Sequence, residues 1–160
     1  MIDLYTWTTP NGRKISILLE ELGYLAEKYG KFLPTEPARK SEAIEWLMWQ
    51  MAGFGPMLGQ AHHFLHFNPG KAEYAEGRFR DEVARLYGVL NTRLEGREYI
   101  VDEYSIVDMA CWPWASRYEW QEIDLADYPN VRAWYQRLLA REAVQRGYQV
   151  PKDMGDIPPG

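Results

Sequence analysis

A single cysteine, Cys111, stands in a chain of 160 residues. One thiol excludes an intrachain disulfide, and with it the stapled scaffold of a small secreted domain. Cys111 sits in the apolar run Met109-Ala110-Cys111-Trp112, where a buried, inert thiol is expected rather than a nucleophile. No apolar stretch approaches the ~20 residues of a membrane span. The N-terminus lacks the charged-then-apolar pattern of a signal peptide. These absences predict a cytoplasmic chain with no membrane partner. Lysine and arginine number 18 against 23 acidic residues, for a net charge of −5. No basic cluster offsets that balance, which argues against nucleic acid as a partner. No G-x-G-x-x-G, phosphate loop or G-x-S-x-G occurs. The carboxylates scatter over predicted helix surfaces, with no pair singled out for acid–base work.

A further absence is a second strand. Ile2-Asp3-Leu4-Tyr5-Thr6-Trp7 predicts a strand, and Thr8-Thr9-Pro10-Asn11-Gly12 a tight turn. Arg13 to Leu22 then predicts a helix, with Ile15, Leu18, Leu19 and Leu22 at i, i+3, i+4, i+7. A lone strand leaves its N–H and C=O groups unpaired. This segment therefore needs sheet partners that the rest of the sequence does not supply.

What is present is helix and aromatic surface. Seven Trp, eleven Tyr and five Phe supply large areas for a core, and such rings also line clefts for flat or apolar ligands. Tyr24 to Tyr29 predicts a short helix stopped by Gly30. A connector holds Pro34 and Pro37. Ser41 and Glu42 are expected to open a helix carrying Ile44, Leu47, Met48 and Met51, bent or interrupted at Gly53-Phe54-Gly55-Pro56 and resumed over Met57 to Phe67. Asn68-Pro69-Gly70 is a break. Phe79, Val83, Leu86, Tyr87, Leu90 and Leu94 mark a long helix ending near Gly96, and Ser105 to Tyr118 forms the next. Pro129 opens another at a position proline favours. A last short helix covers about Arg141 to Gln145. The tail from Val150, with three prolines and two glycines, is expected to be flexible or loosely docked.

Few motifs carry chemistry. Thr9-Pro10-Asn11-Gly12 lies where a strand hands over to a helix, a place where backbone N–H groups and the helix dipole can meet an anion or thiolate. Thr9 offers a hydroxyl and Asn11 an amide donor; plain helix capping would select the same residue types. Ser105-Ile106-Val107-Asp108 is a capping box, with Tyr104 and Met109 spaced as a hydrophobic staple. It is a folding signal. His62 and His66 lie one helical turn apart, but no further ligand accompanies them, so packing is expected rather than a metal site.

Together these stretches resemble the glutathione S-transferase superfamily, in its branch of bacterial disulfide-bond oxidoreductases related to the transferase-like domain of Ure2. The resemblance rests on Ile2 to Lys14 with the Thr9-Pro10-Asn11-Gly12 turn, on Trp46 to Met51 with Gly55-Pro56-Met57-Leu58-Gly59-Gln60 and His62-His63-Phe64, and on Glu103 to Ala110. It implies a mainly α chain: a truncated thioredoxin-like βα remnant over 1–33, a linker over 34–40, an all-helical glutathione-transferase C-terminal domain over 41–149, and a flexible tail over 150–160. It implies glutathione or glutathione disulfide as cosubstrate, with Thr9, Pro10 and Asn11 at the sulfur. Chemistry would run by thiolate stabilisation, as glutathione transfer or thiol–disulfide exchange. A small electrophile or disulfide would be the second substrate, with no metal, and the chain would form a homodimer. One departure is large. Glu20-Glu21-Leu22-Gly23 runs straight into Tyr24-Leu25-Ala26, where the family carries three more strands, a helix and a half, and the turns that hold the glutathione backbone, roughly fifty residues at typical element lengths. That departure leaves open a non-catalytic helical binding or dimerisation module.

Overall fold

The computed structural model describes Pro10, Arg13, residues 30–152 and residues 155–160. The predicted strand, Thr9, Asn11 and most of the predicted first helix lie outside the described residues. The described chain is mainly helical, as expected. Among the described residues no strand forms beyond an isolated bridge between Val101 and Glu103, and no helix is long and apolar enough to cross a membrane.

Helix α1 spans Pro37–Trp49 and starts four residues before the predicted Ser41. The reason is local. Proline at the first helical position loses no hydrogen bond, and its φ is preset for the helix. Glu36 caps the end, its carboxylate accepting from Ala38 N at 3.0 Å and Arg39 N at 2.8 Å. The Gly53-Phe54-Gly55-Pro56 run does not break the rod either. A π-helical turn over Gln50–Phe54 leads into α2, Gly55–Ala61, and a second π turn covers His62–Phe67. Widening the turn absorbs the donor and the space that Pro56 takes away. Ile44, Met48 and Met51 do not join the core: they are 45%, 58% and 53% exposed. Ala43, Gln50, Phe54, Gly55, Leu58, Ala61, His62 and Leu65 are the residues this rod buries.

Helix α3, Glu73–Arg93, buries Phe79, Val83, Leu86, Tyr87 and Leu90. That is the predicted stripe, and Gly96 follows it in the left-handed region with φ of 68°. Helix α4, Ile106–Ala115, is the centre of the molecule, with every residue from Val107 to Ala115 buried. Close approach by α2 depends on Gly55, where a Cβ would stand 3.2 Å from the Trp114 ring. Helix α5, Pro129–Leu139, faces Val131, Trp134, Tyr135 and Leu138 inward. Asn91 of α3 holds its first turn, accepting from Asn130 N at 3.0 Å and Val131 N at 3.3 Å. Helix α6, Glu142–Tyr148, runs three residues past the predicted Gln145 because Val144, Gly147 and Tyr148 are all buried. The end of the tail has packing partners: Tyr135 Oη donates to Pro158 O at 2.7 Å, and Arg132 reaches Gly160 O at 3.4 Å.

The capping box at the head of α4 forms as predicted. Ser105 Oγ accepts from Val107 N at 3.2 Å, and Asp108 Oδ2 accepts from Ser105 N at 3.0 Å. Ser105→Ala is expected to cost about 1 kcal/mol, measured by chemical denaturation, since it removes the acceptor of one terminal N–H. An unchanged midpoint would mean that the box contributes nothing beyond its geometry.

Candidate functional site

Of the predicted sulfur turn, Pro10 is helical and half-buried, whereas Thr9 and Asn11 lie outside the described residues. Pro10 thus departs from the tight turn predicted over Thr8–Gly12, and Arg13, where the predicted helix begins, is helical too. Arg13 carries a feature the sequence reading did not single out: its side chain is fully buried. The guanidinium carbon sits 3.7 Å from the centroid of the Tyr148 ring on α6. Arg117, just past the end of α4, approaches the same ring at 5.7 Å and the Trp120 ring at 4.5 Å. Ser116 Oγ, 3.2 Å from Tyr148 Oη, pins the ring and donates to Pro113 O at 2.8 Å. Burial lowers the Arg13 pKa; Tyr148 opposes that shift and Arg117 adds to it. No periodicity or motif could have flagged this cluster, because its members come from three distant stretches of chain.

Beside Arg117 lies a second polar group. His62, in the second π turn, stacks on Trp114 with centroids 5.9 Å apart and meets Trp120 edge-on at 5.5 Å. Its Nε2 lies 2.9 Å from Gln121 Nε2. Gln121 Nε2 also donates to Trp114 O at 2.9 Å, while Gln121 Oε1 accepts from Tyr87 Oη at 2.7 Å. His62, Tyr87, Trp114 and Gln121 are all buried. Burial first, then the charges of Arg117 and His66, push the His62 pKa down to about 4. His66 instead lies flat on Trp120, centroids 4.3 Å apart. The two histidines are therefore taken up by ring stacking, and no group of three or more ligating side chains suited to a metal occurs among the described residues.

The aromatic set divides. Trp112 is fully buried, with Nε1 donating to Tyr135 O at 3.0 Å, and Trp114 is buried against α2. Both are core. Tyr118 and Trp120 are half-buried and remain on the edge where Arg117 and His66 emerge. Cys111 is fully buried in α4, as its sequence surroundings predicted.

This helical arrangement has known counterparts. Residues 54–142 match the family model for the glutathione S-transferase C-terminal domain. Disulfide-bond oxidoreductase YfcG of Escherichia coli is 38% identical over 198 aligned positions, covering 89% of this chain and 92% of that protein. The chain belongs to the glutathione S-transferase family. Among its relatives, disulfide-bond oxidoreductase YghU of Escherichia coli is 40% identical over 151 positions, and there the chain spans about half, 51%, of the relative's length. Among solved glutathione transferases, one from Burkholderia graminis, with two glutathione molecules bound per subunit, superposes with a TM-score of 0.84 at 33% identity. That superposition covers 94% of this chain and 88% of the other. A Pseudomonas putida glutathione transferase with one bound glutathione disulfide superposes with a TM-score of 0.84 at 31% identity, over 92% and 90% of the two chains.

Proposed function

We propose that this glutathione S-transferase family chain acts on glutathione through the Thr9-Pro10-Asn11 turn, in thiol–disulfide exchange or glutathione transfer. Kinship with relatives named as disulfide-bond oxidoreductases and with transferases crystallised with glutathione carries the reading. Thr9 Oγ and the Asn11 amide would donate to the sulfur, and the positive end of the following helix would favour the anion. Thiolate is the species that attacks a disulfide or an electrophile, so stabilising it raises the reactive fraction at neutral pH. Cys111 has no part in this chemistry. A small electrophile or a disulfide is the second substrate.

The test uses the whole chain. Isothermal titration with glutathione and with glutathione disulfide should show saturable binding, and exchange with a small-molecule disulfide should be catalysed. Asn11→Ala should lower that turnover about a hundredfold to a thousandfold, the scale of losing one donor to a developing anion, while changing stability by no more than a cap, about 1 kcal/mol. Equal losses in both would make Asn11 a cap and nothing more.

A second reading follows from one observation. The alignment with YfcG spans 198 positions, more than the whole of this 160-residue chain. The relative therefore carries residues that this chain lacks. If they are those that hold the glutathione backbone, the thioredoxin-like part is a remnant and affinity falls, because uncompensated polar groups do not bind. The helical part would then serve as a non-catalytic binding module. Homodimerisation belongs to both readings and is supported by the exposed stripe of Ile44, Met48 and Met51. Gel filtration at the monomer mass would remove it, and absence of glutathione binding by calorimetry would favour the module.

A further inference from the structure

We propose that Arg13 and Arg117 form an oxyanion-binding site against Tyr148, for a ligand bearing a phosphate or carboxylate group. The argument starts from cost. Arg13 is fully buried, and its Nε, Nη1 and Nη2 all lack a hydrogen-bond partner. Arg117 Nε is likewise buried and unsatisfied. Taking a charge out of water costs several kcal/mol unless it is paired. A desolvated cation–π contact returns only about 2 kcal/mol of that. Here the second charge near Arg13 is another guanidinium, which adds repulsion. Neither arginine makes an ion pair, although six other arginines among the described residues do. Two cations converging on one aromatic ring, neither paired with an acid among the described residues, lack an anion.

The chemistry of the missing partner follows from the donors. Guanidinium groups present N–H forks that match planar carboxylate or phosphate oxygens in pairs. Tyr148 fixes the Arg13 plane, and Ser116 fixes Tyr148. Access lies on the Arg117 side. Arg117 and Trp120, 4.5 Å from its guanidinium carbon, are both half-buried, whereas Arg13 closes the inner end. An oxyanion entering past Trp120 would meet Arg117 first and neutralise the buried charge behind it. This inference does not rest on the glutathione reading, and its probes contain no thiol.

The experiment titrates the full chain with sodium phosphate and, separately, with sodium succinate at neutral pH, holding ionic strength constant with sodium chloride. Tryptophan fluorescence, to which Trp120 contributes as one of seven tryptophans, is one readout, and the thermal unfolding midpoint reports on linkage, because a ligand that binds the folded state raises it. A saturable change in both is expected. Response to phosphate alone identifies a phosphate ligand, and response to succinate alone a carboxylate. Arg13→Met and Arg117→Met should each weaken the apparent affinity at least tenfold. Should Arg13→Met fail to fold, Arg117→Met, at a half-buried position, carries the same test. The proposal is overturned if neither anion acts beyond the chloride control, or if the foldable variants titrate like the parent.

Discussion

Replacing Asp108 by alanine is expected to destabilise the fold by about 4 kcal/mol or more, a loss seen only where a buried polar network is broken. The carboxylate is fully buried at the head of α4. Its Oδ1 accepts from Ile100 N at 3.1 Å and Trp134 Nε1 at 2.8 Å. Its Oδ2 accepts from Ser105 N at 3.0 Å and Ser105 Oγ at 3.2 Å. One side chain thus ties the loop before α4, the α4 cap and the centre of α5. Alanine would leave these donors facing apolar surroundings without acceptors, each at the desolvation cost of an unsatisfied group. Asparagine keeps the Oδ1 pair and sets an NH₂ against Ser105 N–H, so Asp108→Asn should lose roughly half as much, about 2 kcal/mol. Urea denaturation of the three proteins checks this. A loss under about 1 kcal/mol for alanine would mean that other acceptors replace the carboxylate.

The same residue shows what was legible in the sequence. Ser105 and Asp108 stand at cap spacing, so the box was readable from four letters. That Asp108 also serves Ile100 and Trp134 was not, because those partners meet only when α5 folds over α4. Strong, locally determined signals carried the fold: the stripe of α3, the Asn68-Pro69-Gly70 break and Pro129 at a helix start all hold. Tertiary context decided the rest. Pro37 began α1 earlier than Ser41 because Glu36, not a serine, supplies the cap. Ile44, Met48 and Met51 have helical spacing, yet spacing alone does not say which face is covered. The glycine-proline run at 53–56 signals a break, and a π turn absorbs it instead. For the site, the family resemblance was legible in continuous stretches. The Arg13–Tyr148–Arg117 cluster was not, since an arginine on a predicted helix looks like a solvated charge until the packing buries it.

Acid is expected to weaken the protein through His62, by about 3 kcal/mol once that group is fully protonated. The hydrogen-bond network fixes its tautomer. Burial raises the Tyr87 phenol pKa well above its ordinary value, so Tyr87 Oη donates to Gln121 Oε1. Gln121 Nε2 must then be the donor both to Trp114 O and to His62 Nε2. His62 Nε2 is therefore a bare acceptor, and its proton resides on Nδ1. Protonation would set N–H against N–H in a buried site beside Arg117. With the pKa lowered from 6.5 to about 4 in the folded state, this contribution to stability is present above the unfolded value and lost as pH falls through the folded one. Asp108 acts in the opposite sense. Burial raises its pKa from 3.8 to about 6, so its contribution is full below 3.8 and fades as pH rises through about 6. The two partly cancel in the parent, which makes a single pH profile uninformative. The comparison that isolates His62 is with His62→Gln, whose Oε1 can accept from Gln121 and does not titrate. Between neutral pH and pH about 4, the stability of the parent minus that of the variant should fall by about 3 kcal/mol. Parallel profiles would show that His62 is not held as a neutral acceptor, and the order of donors through Tyr87, Gln121 and Trp114 would have to be reversed.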